Sequence, residues 1–209
     1  MRAALVFLLV TASFFSFSQL KKEYYDAKET QLKSETDYYK GMPHGTHMEF
    51  YQSGNVSRKG FYYEGKEDSV WTFFYEEGGK KAIERFMRGK KWGTNSYYYK
   101  SGKKAQVTHY TNNLADSTWT AFHENGKIKC REPFVIGKRE GEWVYYFDNG
   151  QLESKGNFEK DKRVGKVESF FKSGKPLSIQ NFCIGKPCDK WDEWYENGKK
   201  KGGGISLIL

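Results

Sequence analysis

A 24-residue period governs this chain. A glycine follows an aromatic or aromatic-like pair at Phe50-Tyr51 to Gly54, Phe74-Tyr75 to Gly78, Tyr98-Tyr99 to Gly102 and Phe122-His123 to Gly126. It recurs at Tyr146-Phe147 to Gly150, Phe170-Phe171 to Gly174 and Trp194-Tyr195 to Gly198, always 24 residues on. Such a period means that one small unit is stacked many times, each copy burying its apolar face on its neighbours. Further columns keep the register. An aromatic recurs at Tyr38, Tyr62, Phe86, Tyr110, Phe134, Phe158 and Phe182. A turn residue follows at Gly41, Gly65, Gly89, Asn113, Gly137, Asp161 and Gly185. Next come Gly45, Ser69, Gly93, Ser117, Gly141, Gly165 and Asp189, then a tryptophan column at Trp71, Trp119, Trp143 and Trp191 with His47, Asn95 and Val167 as departures. Sixteen of the 22 glycines fall in these columns, so the repeat accounts for the unusual composition.

Each unit reads as a β-hairpin plus the turn to the next. Trp143 to Phe147 forms one strand, Asp148-Asn149-Gly150 turns the chain, and Leu152 to Phe158 alternates as a half-buried second strand. The expected fold is all-β, an elongated single-sheet antiparallel meander of about seven 24-residue hairpin repeats and about fourteen strands. A propeller, whose four-stranded blades need a period of ~40–50 residues, does not suit this spacing.

Residues 1–18 read as a signal peptide: Met1-Arg2, the apolar run Ala3 to Phe15, then Ser16-Phe17-Ser18. An uncleaved anchor is the alternative, but ~20 apolar residues are usually needed to span a bilayer. The reading therefore places a mature chain from Gln19 outside the cytoplasm, periplasmic, associated with the outer envelope or secreted. Residues 19–29 form a lead-in, 30–198 the seven repeats, and 199–209 a tail or closing strand. Gly202-Gly203-Gly204 reads as a loose linker to Ile205–Leu209.

The stretch Phe134-Val135-Ile136-Gly137-Lys138-Arg139-Glu140-Gly141-Glu142-Trp143, continued to Gly150, resembles MORN repeats, and most of all the bacterial MORN-variant group often given an antitoxin-type label. The resemblance implies scaffolding, dimerisation or phospholipid contact, with no catalytic residues supplied by the repeat itself.

The residues in their own right point the same way. His44 and His47 have HxxH spacing, but no helix is expected there, and His47 and His123 occupy aromatic columns, so stacking replaces metal ligation as their expected role. No phosphate loop, HExxH or nucleophile elbow is present, so the chain is read as a non-enzyme without metal or cofactor. Cys183 and Cys188 flank the turn Ile184-Gly185-Lys186-Pro187 and are candidates for a disulfide in an exported protein, two independent thiols being the alternative. Cys130 is then left over.

Two surfaces are candidate binding sites. Trp71, Tyr75, Tyr99, Trp119, Trp143, Phe147, Trp191 and Tyr195 form aromatic rows, since neighbours in a strand face opposite sides and one row is expected to be exposed. Lys66, Lys90, Lys138, Lys162 and Lys186 form a basic rim, and lysines near the opposite turns, such as Lys80, Lys127 and Lys199, a second one mixed with acids. The net charge of +9 suits an anionic contact, although lysine also keeps a long sheet soluble and blocks edge pairing. An envelope protein is the expected partner. Anionic lipid or cell-wall glycan is the alternative, an antitoxin-like inhibitory role the third, and export disfavours nucleic acid.

Overall fold

The computed structural model describes residues 18–206, so the expected signal peptide lies almost entirely outside the described residues. Among the described residues no helix is present. Eighteen strand segments form one open antiparallel sheet in which successive strand lines pair with one another. Two repeats interrupt one strand, as at Lys138–Arg139 and Gly141–Tyr146, so residues 32–194 hold the fourteen strand lines expected from seven repeats. Gln19–Tyr24 adds a strand in front, paired with Leu32–Tyr39, and Lys200–Ser206 adds one behind, paired with Lys186–Trp194. Gly202–Gly204 is therefore strand and not linker. An ordered partner on one side holds these glycines extended, and Trp191 lies against them, 3.4 Å from where a Cβ on Gly202 would sit.

The turns alternate between two chemistries. On one rim, Phe147 N–H donates to Gln151 O (2.8 Å) and Gly150 N–H to Phe147 O (2.9 Å), so Phe147 is the first turn residue and not the last of the strand, which ends at Tyr146. The expectation that both members of an aromatic pair project from the strand fails for this reason. On the other rim both central residues have positive φ, for example Ile136 (47°) with Gly137 (79°) and Lys160 (46°) with Asp161 (69°), as type I′ hairpins require.

Each long strand also carries a bulge. Gln180 faces Trp191 while the adjacent Asn181 faces Cys188. The third turn column falls here with positive φ, including Ser69 (59°), Ser117 (57°) and Asp189 (59°) among the glycines. A bulge bends and twists its strand and re-aims the side chains beyond it. It sets the tryptophan column onto the same face as the Tyr38-to-Phe182 column. Ring centroids lie 5.0 Å apart for Tyr62 and Trp71, 4.5 Å for Trp119 and Phe134, and 5.8 Å for Trp143 and Phe158.

The core is thus a row across the sheet. Trp143, Phe158 and Val167 form a buried cluster, with Phe182 and Tyr145 packed on it. A Cβ on Gly156 would stand 2.8 Å from Trp143 and 2.9 Å from Val167, so a bare backbone is required there to seat the indole. The departures from the tryptophan column are buried too: His47 Nδ1 shares a 2.7 Å hydrogen bond with Thr36 Oγ1, and Asn95 Oδ1 accepts from Arg85 N–H at 2.5 Å.

Candidate binding surfaces

The aromatic candidates separate into two groups. Trp71 and Trp143 are 0 % and 3 % exposed, so neither presents a ring to a partner; they are corrections to the expected binding row. The bulge drives them inward, against the backbone of Gly60 and Gly156. Trp119 and Trp191 are half-buried on the same face, the Trp119 Nε1–H donating to His109 O (3.2 Å).

The rim aromatics are half-buried and bonded forward. Tyr75 donates to Tyr98 O (2.6 Å) and Tyr99 to Phe122 O (2.6 Å), each in the next repeat. Tyr25, Tyr51 and His123 bridge in the same way to Phe50 O, Phe74 O and Tyr146 O. Phe147 sits in this column without a donor and cannot make the link. Tyr195, the last of the column, is 51 % exposed. These side chains hold repeat to repeat, a role that spacing alone did not reveal; the one signal was that all the occupants except Phe147 and Phe171 carry a donor.

The basic rim is built as the columns imply. Lys66, Lys90, Lys138, Lys162 and Lys186 are all exposed beside the type I′ turns, and among the described residues none has a carboxylate within 4.0 Å. The stems of Lys66 and Lys162 lie along Gly89 and Gly185 of the following repeat, Cβ to Cβ position 3.5 Å in both cases. The opposite rim is locally neutralised: Lys172 pairs with Asp148 (2.5 Å) and Lys100 with Glu77 (2.8 Å).

Two features of these surfaces were not foreseen. The lysine rim also exposes Met87, Leu114 and Val135, and its turn tips Ile136 and Ile184 are 73 % and 71 % exposed. A β-branched residue at positive φ is strained and recovers nothing by packing here. Secondly, arginines beside the row lysines stack on the aromatic face. The Arg139 guanidinium lies 4.2 Å from the Phe158 centroid, and Arg163 lies 5.6 Å from both Trp143 and Phe182. The Arg139 backbone N–H, joined by its guanidinium at 3.4 Å, also holds the Asp161 carboxyl below its usual range. The adjacent pairs Lys138-Arg139 and Lys162-Arg163, 24 residues apart, were the available signal.

Further along the same face, Glu84 accepts from Lys91 (2.7 Å) and Tyr97 (2.7 Å). Burial works to lower the Lys91 pKa, but the Glu84 carboxylate outweighs it and raises it; burial, reinforced by Glu84, raises that of the Tyr97 phenol. Lys91 therefore stays charged and the Tyr97 phenol neutral around neutral pH. Cys183 and Cys188 are joined as a disulfide across the Ile184 turn, with Cα atoms 5.7 Å apart, and Cys130 is a free, half-buried thiol.

No curated protein matches the chain. The MORN repeat variant model matches residues 43–64, 115–135, 139–160 and 163–183. The four matches begin at residues separated by 72, 24 and 24, whole multiples of the period seen in the turn and tryptophan columns. Four of the repeats of this chain, in register with its 24-residue period, thus match the MORN repeat variant.

Proposed function

We propose that the chain is an exported, non-catalytic scaffold at the cell envelope whose aromatic face receives a protein partner. The observation that carries this reading is the trio Arg139, Tyr145 and Arg163, laid over the buried rings of Trp143 and Phe158, which lines an open depression of about 200 Å³. Tryptophan, tyrosine and arginine are the residues in which interface binding energy concentrates. Here the guanidiniums are already stacked, so little side-chain freedom remains to be lost on binding. Trp119 and Trp191 extend the row on either side. A crosslinking pull-down with the mature chain, Gln19 to Leu209, from envelope extract tests the proposal. A protein retained at high salt by the native chain and lost by the Arg139→Ala/Arg163→Ala variant is the expected result. Retention of that protein by the variant, or recovery of lipid or glycan alone, overturns it.

A second reading rests on the lysine rim. Unpaired lysines alternating with exposed Ile136 and Ile184 suit an anionic bilayer, to which each surface lysine contributes about 1 kcal/mol. Salt-sensitive flotation with vesicles containing anionic lipid, lost on replacing both isoleucines by Ser, supports this reading; indifference to lipid charge removes it.

A further inference from the structure

The two outer strands of the sheet are complementary halves of one hairpin pattern. In Gln19–Tyr24, Glu23 faces Ser34 and Tyr24 faces Leu32 across a bulge, as Tyr145 faces Ser154 and Tyr146 faces Leu152 within a complete repeat. Gln19–Tyr24 is therefore a strand of the tryptophan-column type, with Lys21 in the tryptophan position. At the other end Trp191 faces Gly204 and Trp194 faces Lys200, as Trp143 faces Gly156 and Tyr146 faces Leu152. Lys200–Ser206 is accordingly a strand of the second type. Inside the array every such strand is followed by one of the tryptophan type. Among the described residues none follows Lys200–Ser206 and none precedes Gln19–Tyr24.

The last repeat also presents donors that inner repeats use on the next one. Tyr51, Tyr75 and Tyr99 each donate to a carbonyl 23 residues ahead, and so do the side-chain amides of Asn125 and Asn149, to Asp148 O (2.6 Å) and Lys172 O (3.1 Å). Tyr195 and Asn197 stand at the equivalent positions. Asn197 keeps its local bond, Oδ1 accepting from Lys199 N–H (2.9 Å), while among the described residues its Nδ2 and the Tyr195 hydroxyl have no partner.

From these two observations we infer that copies of this chain join head to tail, Lys200–Ser206 of one pairing antiparallel with Gln19–Tyr24 of the next. Continuing the register of Ser178 with Glu193, Ile179 with Asp192 and Gln180 with Trp191 sets Gly202, Gly203 and Gly204 opposite Glu23, Lys22 and Lys21 of the second copy. The forward links then fall on that copy's first turn, Tyr195 on the Tyr24 carbonyl and Asn197 on the Asp26 carbonyl. Lysines normally guard such edges. Here Lys22 is paired with Glu35 (2.9 Å), Lys200 with Asp192 (2.6 Å) and Lys201 with Glu193 (2.9 Å), so much of that charge is already answered within each copy. The contact uses different surfaces on the two copies, and a repeated heterologous contact of this kind gives rows of copies, not a closed dimer.

Two sets of blocked variants test this in sedimentation. Backbone N–H direction alternates along a strand, so of Lys21→Pro and Lys22→Pro one removes an outward donor from the head, and of Lys201→Pro and Gly202→Pro one does so at the tail. The variant of each pair that keeps the native melting temperature is the one used. The native mature chain is expected to gain weight-average mass continuously with concentration, past twice the monomer mass. Each blocked variant alone is expected to stay monomeric, and an equimolar mixture of head-blocked and tail-blocked chains to stop at two. A native chain that stays monomeric overturns the proposal, as does a head-blocked variant that dimerises by itself, which would mean tail-to-tail contact. The readout needs no envelope partner, so it stands or falls separately from the scaffold reading.

Discussion

The Tyr75 hydroxyl donates to the carbonyl oxygen of Tyr98, 2.6 Å away and one repeat further on. Strand pairing alone joins neighbouring hairpins, and this link adds a side-chain tie at the rim. A hydrogen bond of this kind contributes about 1 kcal/mol net. Tyr75→Phe and Tyr99→Phe are each expected to lower the unfolding free energy by about that amount, measured by urea denaturation. Phe147→Tyr, which supplies the missing donor, is expected to raise it. A loss on Phe147→Tyr would mean that the rim there has no room for a hydroxyl.

The tryptophan column makes a sharper demand. Because a Cβ on Gly156 would stand 2.8 Å from Trp143, Gly156→Ala must push the indole or the strand aside. Overpacking of this size costs about 1–3 kcal/mol. Trp143→Val should relieve it, since Val167 already fills this column position beside the same glycine. The expected outcome is therefore a non-additive pair: Gly156→Ala costs less in the Trp143→Val background than in the native one, with the 2.9 Å approach to Val167 accounting for the cost that remains. Additive losses in thermal unfolding would show that the glycine serves backbone conformation instead.

The columns made the repeat, the hairpins and both rims legible, because turn residues with positive φ and alternating strands leave a direct mark on sequence. The site was harder to read. Period-2 alternation places Trp143 and Tyr145 on one face, but burial depends on the bulge at Gly141, which no residue type announces: Ser117 and Asp189 fill the same slot. The exposed row expected from Trp71 and Trp143 is core for this reason. The forward links of Tyr75 and Tyr99 depend on how far successive repeats rotate, and that is a property of the stack, not of any single unit. Ile136 escapes a reading of the sequence because it looks like an ordinary strand residue until its positive φ is known, and the turn assigned to Ile184 did not announce that a β-branched residue would take positive φ there.

The disulfide closes a loop from Cys183 to Cys188 in the last complete hairpin. Closing so short a loop is worth about 2 kcal/mol through the entropy of the unfolded chain. The Cys183→Ser/Cys188→Ser variant is expected to unfold at correspondingly lower urea. In a quasi-one-dimensional array the effect should be local, so hydrogen exchange should speed up in Lys186–Trp194 and Lys200–Ser206 while Lys66–Phe74 keeps its protection. Uniform acceleration along the chain would show that the sheet opens as one cooperative unit.

His47 makes stability depend on pH. Its ring packs 5.4 Å from that of Trp71, Thr36 engages Nδ1, and the buried Nε2 has no hydrogen-bond partner, the nearest carboxylate being Glu49 at 3.9 Å. Burial first, and the Arg58 charge second, hold the ring below the ordinary value of 6.5, against the pull of Glu49. The unfolded chain then binds the proton more readily than the folded one. Stability is fully present above pH 6.5 and declines as pH falls through the interval between the unfolded and folded values, by at most about 1.4 kcal/mol per pH unit for one proton. Asp148 and Asp192, lowered chiefly by Lys172 and Lys200, add losses only around and below their ordinary 3.8. Glu67, raised by burial, acts with the opposite sign as pH approaches 4.5 from above. Between pH 6.5 and 5.5 the native chain should therefore lose melting temperature, and His47→Gln should flatten that slope while leaving the steeper acid transition in place. An unchanged slope in the variant would place the proton on another group.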